Sequence, residues 1–211
     1  MDINEKIKRR YNRISGIYEA MDKMIKEEWR LNLLSKVSGK VLEVGIGTGA
    51  NLPFYPTKTQ SLTGVDFSKG MLKHANDKVS KGNFLFPIEL MEADIQALPF
   101  PDNTFDSVVS TCVFCSVPDP LVGLKELRRV CKPTGHIFML EHMRSDNKFV
   151  GAVMDVLNPL TVSLWGANIN RETIKTIQYS GLVIERDSSL MGSIFRDLAV
   201  SPNKNNVKEE S

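Results

Sequence analysis

The sequence K-V-L-E-V-G-I-G-T-G-A-N, which runs from Lys40 to Asn51, determines the fold of this chain. A mostly apolar run over residues 41–44 leads into glycines at positions 45, 47 and 49. This pattern predicts a buried parallel strand that enters a tight turn, because glycine adopts backbone angles that other residues avoid and lets a ligand approach closely. A nucleoside ligand would lie at this turn, since open α/β sheets bind ligands at the carboxyl ends of their strands.

An acidic residue supports a nucleoside site at this turn. Asp66 ends a second apolar run, Ser61–Asp66, about 20 residues beyond Gly45, where a carboxylate can accept hydrogen bonds from both ribose hydroxyls. Dinucleotide enzymes and S-adenosylmethionine (SAM) enzymes both use such a turn. Two other interpretations stay open: glycines that only form a tight turn, and an Asp66 that only caps the following helix, as Ser68 also could.

The composition is that of a globular protein with one domain. The 211 residues are 42% hydrophobic and 25% charged, and a net charge of +2 is too balanced to indicate a nucleic-acid partner. The absence of an 18-residue apolar run predicts no transmembrane helix, and the charged N-terminus predicts no signal peptide. Three cysteines without the spacing of a disulfide framework indicate a reducing cytoplasm.

Residues 1–36 predict a helical segment, which we interpret as an N-terminal lid over the ligand site. Apolar residues at intervals of three, four or seven share one helical face: Ile3, Ile7, Ile14, Tyr18, Met21 and Ile25. Five basic residues mark the first half: Lys6, Lys8, Arg9, Arg10 and Arg13. Two alternatives stay open, an interfacial helix on anionic lipid and a packed helix with a solvated charged face.

Beyond the glycine turn, helices and strands alternate until a final hairpin. The predicted helices are Lys69–Lys81, a helix from Asp119 as cap to about Lys132, and Arg171–Ser180 with Gly181 at its end. The predicted strands are Ile88–Asp94, Phe105–Val113, His136–His142, Leu182–Asp187 and Ile194–Val200. Residues 132–135 are predicted to be a turn, and the apolar stretch Phe149–Trp165 is predicted to break at Asn158 and Pro159.

Five motifs, taken in order, resemble those of class I SAM-dependent methyltransferases. They are V-L-E-V-G-I-G-T-G-A-N at 41–51, G-V-D-F-S at 64–68, A-D-I-Q-A-L-P-F at 93–100, F-D-S-V-V-S at 105–110 and L-R-R-V-C-K-P-T-G at 127–135. Each motif is weak alone, but the ordered set is specific. The resemblance, which covers residues 11–200, implies an α/β fold: a Rossmann-like, doubly wound, mostly parallel seven-stranded sheet with an antiparallel last strand and helices on both faces. It implies a SAM-binding domain over 37–200, an acceptor-lid insertion at 146–171 and a flexible tail over 201–211.

Within this class the sequence resembles the methyltransferase type 11 enzymes that act on quinones, phospholipids or lipophilic thiols. Y-N-R-I-S-G-I-Y at 11–18 is similar to the N-terminal segment of the quinone enzymes. T-C-V-F-C-S-V-P-D-P at 111–120, E-H-M-R-S at 141–145 and N-I-N-R-E-T at 168–173 are closer to bacterial phospholipid N-methyltransferases and thiol methyltransferases. Thr134 replaces a usual glycine and Ala167 a usual cysteine, and both departures concern the acceptor rather than the cofactor.

The resemblance implies SAM as the cofactor and S-adenosylhomocysteine as its product. The backbone at Gly45 and Gly47 would contact the methionine part, and Asp66 would bind the ribose. Phe67, Met71, Asp94 and Ile95 would surround the adenine, although Met71 and Ile95 also suit the core. The implied cofactor-binding residues are Tyr11, Tyr18, Glu43, Gly45, Gly47, Asn51, Asp66, Phe67, Met71, Asp94, Ile95, Thr111 and Cys112.

Methyl transfer from a sulfonium is an in-line displacement, so positioning supplies much of the acceleration. His142, at the end of the fifth strand, is the preferred candidate base because imidazole titrates near neutrality; a structural histidine is the other interpretation. Asp94 is the competing candidate, since the matching acid in thiol-acting relatives is discussed as catalytic. The predicted acceptor-binding residues are Tyr18, Cys115, His142, Asn170 and Arg171, and Arg171 could bind a phosphate or carboxylate or lie on the surface.

Cys112 and Cys115 form a C-x-x-C pair. With no second pair and no nearby histidine, the pattern predicts no metal site, and a redox role would need a thioredoxin-like context. We therefore expect two buried or pocket-lining thiols.

Two other functional classes stay open: an NAD(P)-dependent oxidoreductase, which would share the glycine turn and Asp66, and a SAM-binding module without catalysis. The predicted partner is a small-molecule or lipid acceptor, with no nucleic acid and no obligate protein partner. We expect a cytoplasmic protein. The basic first helix and the apolar stretch Phe149–Trp165 also predict peripheral contact with a membrane that delivers a lipophilic acceptor, and closure of both elements over a small soluble acceptor is the alternative.

Overall fold

The structure, a computed structural model, describes residues 25–204, with the side chain of Trp165 left out. The predictions made for residues 1–24, including the lid, its apolar face and the roles of Tyr11 and Tyr18, lie outside the described residues. The same holds for residues 205–211 of the predicted tail.

Seven strands form one sheet in the order β3-β2-β1-β4-β5-β7-β6. Six run parallel, and β7 is antiparallel to both of its neighbours. The sheet confirms the predicted fold class and the final hairpin. The strands are β1 Gly39–Val44, β2 Thr59–Asp66, β3 Ile88–Glu92, β4 Phe105–Thr111, β5 Cys131–His142, β6 Val183–Met191 and β7 Phe195–Ser201.

Helices cover both faces of the sheet because the central strands are apolar on both sides. Neighbouring residues of β1 serve opposite cores: Val41 packs with α1 and α2, whereas Leu42 packs with α3 and α5. The N-caps predicted at Ser68 and Asp119 are confirmed, since each side chain accepts from amides of its helix. The described helices are α1 Glu27–Leu34, α2 Lys69–Lys81, α3 Pro120–Val130, α4 Lys148–Trp165 and α5 Thr173–Tyr179, with a short 3-10 helix at Leu52–Phe54.

Two sequence predictions were wrong. Helix α4 is continuous through Pro159 instead of breaking there. The proline costs the helix one backbone hydrogen bond, but both helix ends are stabilised: Asn147 caps the start, and Gly166, at φ 76°, forms the C-cap. Residues 132–135 do not separate α3 from β5. The pairing with β4 jumps from Phe105–Cys131 to Ser107–His136, so these four residues bulge out of the ladder within the strand.

A buried carboxylate links α1 to β7, the strand next to the edge strand β6. Asp197 of β7 is 1% exposed and accepts hydrogen bonds from Asn32, Lys36 and Arg186. Next to it, the rings of Trp29 and Phe195 lie 5.6 Å apart. The chain therefore enters the described structure beside the β5 and β7 strands. Within residues 25–204, no helix is both long enough and apolar enough to cross a membrane.

Candidate functional site

The glycine turn after β1 needs glycine for two different reasons. Gly45, Gly47 and Gly49 all have positive φ angles, of 62°, 57° and 75°, which side chains disfavour. A Cβ on Gly45 would also come within 2.5 Å of the Val113 side chain. A Cβ on Gly47 would meet only the Gly45 carbonyl oxygen, at 3.9 Å. Close packing against Val113 therefore requires glycine at position 45, whereas the glycine at position 47 leaves open space beside the backbone.

Asp66 joins the end of β2 to this turn. One carboxylate oxygen accepts from the Gly47 amide at 2.9 Å, and the other accepts from the Ser68 amide at 2.8 Å. The carboxylate is 7% exposed, and burial raises its pKa to about 6, although the amides of Ser68 and Gly47 oppose the shift. The structure thus brings Asp66 and the glycine turn together, and each carboxylate oxygen keeps a lone pair for a ligand.

A buried polar network holds the other side of the turn. Asn51 accepts from Arg30 at 2.6 Å and donates to Glu43 at 2.7 Å and to the Thr111 hydroxyl at 3.0 Å. Glu43 also accepts from the Tyr55 hydroxyl at 2.8 Å. The network ties α1 and the 3-10 helix region to the carboxyl ends of β1 and β4. The sequence pointed to Glu43, Asn51 and Thr111 but missed Arg30 and Tyr55.

Asp94 lies just beyond β3, and its contacts are local. Both carboxylate oxygens accept from the Gln96 side chain, at 3.0 and 3.1 Å. The Gln96 carbonyl in turn accepts from the Asp119 amide at 2.9 Å, at the start of α3. Ile95 is 9% exposed and belongs to the core. Asp94 is thus held by its neighbour and remains half-buried.

Two of the residues predicted to lie near the adenine follow β2, and the predicted cofactor residue Cys112 follows β4. Phe67 is half-buried after β2, and Met71 is 2% exposed in the first turn of α2. Cys112 follows β4 with a φ of 53°, rare for a residue with a side chain. Its amide donates to the Leu140 carbonyl at 2.8 Å, which fixes this bend.

Glu141 is a site residue that the sequence analysis did not single out. It is fully buried and accepts from the Ser110 hydroxyl at 2.6 Å and from the amides of Val113 and Phe114 at 3.3 and 3.2 Å. Burial raises its pKa to about 7. Glu141 therefore shapes the loop after β4, including Cys112. An acid inside an apolar strand was the available signal, as it was for Glu43.

The loop that follows α4 meets the loop that follows β4. Asn168 donates its backbone and side-chain N–H groups to the Cys115 carbonyl, at 2.8 and 3.1 Å. Arg171 donates to the Val117 carbonyl at 2.9 Å, and its Nε atom is buried without a partner among the described residues. Asn170 donates to Asp155 at 3.1 Å. The structure thus brings the predicted acceptor residues Cys115 and Arg171 to one loop cluster.

His142 lies apart from Asp94. Its ring is half-buried and packs edge-on against Phe195, with centroids 5.2 Å apart. Burial lowers its pKa below the usual value of 6.5, so the imidazole is neutral at pH 7 and can accept a proton. His142 ends β5 and Asp94 follows β3, and three strands, β2, β1 and β4, lie between them in the sheet. The two candidate bases therefore lie on different sides of the predicted site.

The cysteine thiols are protonated at neutral pH. Burial raises the pKa of Cys115 to about 11 and that of Cys112 above its ordinary value of 9.0. Among residues 25–204, no group of three or more His, Cys, Asp or Glu side chains could hold a metal ion. Cys112 and Cys115 are half-buried in the bend after β4.

A cavity of about 700 Å³ lies at the opposite edge of the sheet. Residues from the amino ends of β1, β2, β4 and β5 line it, including Gly39, Gln60, Asp106 and His136. Open α/β sheets bind their ligands at the carboxyl ends of the strands, and the buried carboxylates Asp66, Glu43 and Glu141 lie there. We therefore place the candidate site at the carboxyl edge and not in this cavity.

The strand order defines a Rossmann-like fold, and the candidate ligand site lies at the carboxyl edge of β1 and β2. Comparison with solved structures agrees: a SAM-dependent methyltransferase of Thermotoga maritima, described as a possible histamine N-methyltransferase, superposes with a TM-score of 0.68 over 93% of this chain and 99% of that one. At 18% identity, this likeness shows the fold alone.

Sequence comparison finds the same class of protein. Residues 42–139 match the family described as "Methyltransferase domain", in agreement with the resemblance that the motifs predict. A phosphatidylethanolamine N-methyltransferase of Cereibacter sphaeroides is 40% identical over 56% of this chain and 58% of its own length. A ubiquinone/menaquinone biosynthesis C-methyltransferase of Geobacter sulfurreducens is 32% identical over 65% of this chain and 58% of its own length. The matched region thus spans about three fifths of each relative.

The pKa of Glu141 makes a stability prediction. Its folded-state pKa, about 7, lies above the ordinary value of 4.5. The contribution of this carboxyl group to the free energy of unfolding is therefore complete below pH 4.5 and is lost as the pH rises to 7. We expect the free energy of unfolding of the wild type, relative to Glu141→Gln, to fall by roughly 3 kcal/mol across that interval. Urea unfolding at several pH values measures it.

The exposed Glu89→Gln variant is the matched control, and its difference from the wild type should stay nearly constant. A difference between wild type and Glu141→Gln that does not change with pH would contradict the assignment of a buried, proton-binding carboxyl group.

Proposed function

We propose that this chain is a SAM-dependent methyltransferase that acts on a small, lipophilic acceptor. The observation that carries the proposal is the bond from the Gly47 amide to the Asp66 carboxylate, within the residues that match the methyltransferase domain. This bond puts a carboxylate at the end of a strand beside a glycine turn with open space, which is an arrangement suited to a ribose. The matched region covers about three fifths of the length of the two relatives, so the activity of this chain is a proposal.

The residues present fit SAM. Open space at Gly47 admits the methionine part close to the backbone, and Asp66 has lone pairs left for the ribose hydroxyls. Phe67 and Met71 lie where the adenine would pack, and Ile95 offers its backbone amide. SAM supplies a methyl group on a positively charged sulfur, and the oxygens of Asn51, Thr111 and Glu43 are of the kind that suits a cation nearby.

The protein's contribution to such a reaction is mainly positioning. The buried network of Glu43, Asn51 and Arg30 and the loop held by Glu141 are both fully hydrogen bonded, so they rigidify the carboxyl edge. A rigid site holds the acceptor atom in line with the bond that breaks. The protonated thiols of Cys112 and Cys115 are poor nucleophiles and act as lining.

We propose His142 as the base for an acceptor that must lose a proton. Burial keeps the imidazole neutral, and its place at the end of β5 faces the ligand edge of the sheet. Asp94 remains the competitor, but both of its oxygens already accept from Gln96.

The acceptor class rests on the relatives and on the loop cluster. One relative is named for phosphatidylethanolamine and others for quinones, so we propose a phospholipid amine or a quinone taken from a membrane, with a lipophilic thiol as the alternative. Arg171, whose buried Nε has no partner among residues 25–204 and which donates to the Val117 carbonyl in the loop after β4, is proposed to face an acidic part of the acceptor. A nicotinamide oxidoreductase and a non-catalytic SAM-binding module are the competing functions.

Asp66→Ala should weaken SAM binding by about 1.5–3 kcal/mol, the range for a hydrogen bond to a charged group. The wild-type affinity should also fall as the pH drops through about 6, because protonation of Asp66 removes its charge. Isothermal titration calorimetry measures both effects. Asp102→Ala, which removes an exposed partner of Arg129, is the control, and unchanged affinity in a folded Asp66→Ala protein would refute the ribose assignment.

The acidic limb of the pH profile of kcat/KM should show a pKa below 6.5, because burial disfavours the imidazolium of His142. His142→Gln should remove this limb and lower kcat by about 10²–10⁴-fold, while SAM affinity stays at the wild-type level. His136→Gln, on the same strand but half exposed, should keep the profile. A limb that survives in His142→Gln and disappears in Asp94→Asn would transfer the role to Asp94.

A panel assay tests the function as a whole. Purified protein is incubated with SAM and phosphatidylethanolamine, a demethylated quinone or an alkyl thiol, and release of S-adenosylhomocysteine is followed. We expect turnover with one of the two lipids and little with the thiol. Binding of NAD in place of SAM would favour the oxidoreductase, and SAM binding without turnover on any acceptor would favour the non-catalytic module.

A further inference from the structure

Helix α4 presents apolar side chains to solvent along its length. Among residues 25–204, it carries seven of the thirteen large hydrophobic residues that are exposed, with Phe149 and Val156 at 79% and 78%. Spacings of three, four and seven place most of them on one continuous stripe. Contiguous apolar patches of this kind mark interaction sites. The α4 stripe consists of Phe149, Val150, Val153, Val156, Leu157, Leu160 and Leu164.

Only a narrow side of α4 faces the protein. Gly151, Met154 and Thr161 are buried, and the Met154 sulfur accepts from the Ser145 amide at 3.4 Å. Asn158 accepts from the Ile169 amide at 2.9 Å and donates to Asn168 at 3.2 Å. The helix is thus anchored by a few polar and small residues, and its most apolar surface points outward, the reverse of a helix that packs on its own core.

The stripe carries no uncompensated negative charge. The helix has one carboxylate, Asp155, which accepts from Arg144 at 2.8 Å and from Asn170 at 3.1 Å. Lys148, in its first turn, is exposed. An apolar strip with a cation at one end and a neutralised acid suits a surface that is apolar below and anionic above.

We infer that α4 docks on the surface of a phospholipid bilayer, with its axis in the membrane plane and the α4 stripe at the boundary of the acyl chains. The stripe is one helix wide, about 10 Å, and about 27 Å long for 18 residues. That footprint falls well short of the roughly 800 Å² per partner of a stable dimer interface. A protruding helix can instead enter the interfacial layer without a shaped partner.

This inference deepens the proposed function, on which it rests for its meaning, by naming where the acceptor enters. Asn158 of α4 bonds Asn168, and Asn168 bonds the Cys115 carbonyl in the loop after β4. Docking of α4 would therefore hold the acceptor side of the site next to the lipid. A lipophilic acceptor could then pass from the bilayer to the site without crossing water.

Vesicle flotation tests the docking surface. The full chain is mixed with phosphatidylcholine vesicles that do or do not contain phosphatidylglycerol. The test variant combines Phe149→Ser, Val156→Ser and Leu160→Ser, and the control combines Leu85→Ser, Tyr179→Ser and Leu31→Ser, whose exposures of 79%, 77% and 52% match those of the test set. We expect wild type and control to float, most strongly with phosphatidylglycerol, and the test variant to lose at least tenfold in partitioning.

A single tryptophan, placed in a protein that carries Trp29→Phe and Trp165→Phe, reports the depth of insertion. Val156→Trp should shift its emission to the blue and be quenched by lipids with brominated acyl chains, whereas Tyr179→Trp should show neither effect. Equal flotation of test variant and wild type, or equal quenching of the two tryptophans, overturns the inference. So does a wild-type dimer in light scattering that the test variant converts to a monomer, because the stripe would then be covered by a second copy.

Two readouts separate this inference from the proposed function. SAM binding by calorimetry should be the same in wild type and test variant, which also shows that the variant is folded. Flotation without SAM binding would refute the function and keep the docking surface. SAM binding and turnover without flotation would support the function and refute the docking surface.

Discussion

The hydrogen bond from the Gly47 amide to the Asp66 carboxylate joins the first two strands where the site is built. It needs a positive φ at Gly47, which aims the amide at the next strand. It also needs a carboxylate at the last position of β2, which pairs in register with Glu92 of β3. Because the sheet is parallel, these ends meet at one edge, and the remaining strands extend the edge from there.

Buried carboxylates recur at this edge. Asp66, Glu43 and Glu141 stand at or near the ends of β2, β1 and β5, and each accepts from donors in the chain around it. A buried acid is costly unless such donors satisfy it. Each carboxylate thus fixes the conformation of a segment that a ligand would contact. Removal from water makes ionisation costly, which is why Asp66 and Glu141 have elevated pKa values.

The sequence could predict the sheet because each central strand is a short apolar run bounded by turn residues. Lys69–Lys81 was predicted to the residue, since Ser68 caps one end and a glycine follows the other. Pro159 was misleading, because its local signal for a break is overridden by caps at both ends of α4. Glu141 was missed because nothing local reveals that its partners, Val113 and Phe114, lie about 28 residues earlier in the chain.

The site residues also divide into those that the sequence could predict and those that depend on the folded chain. Asp66, Glu43 and Asn51 lie within one short motif pair, so their spacing carried the prediction, and the structure joins them to the turn or the network. The acceptor side depends on loops after β4 and α4, which meet only in the folded chain through Asn168 and Cys115. Spacing along the sequence cannot report such a meeting, and Tyr11 and Tyr18 lie outside the described residues.

The strand order also bears on how the chain is made. β7 lies between β5 and β6 although it is the last strand in sequence, so a nascent chain that has reached His142 holds five parallel strands with β5 as an open edge. Unpaired strand edges invite pairing with other chains, and non-local pairing is slow. More than fifty further residues separate His142 from the start of β7, so the ribosome must release them before β7 can cover the open edge of β5.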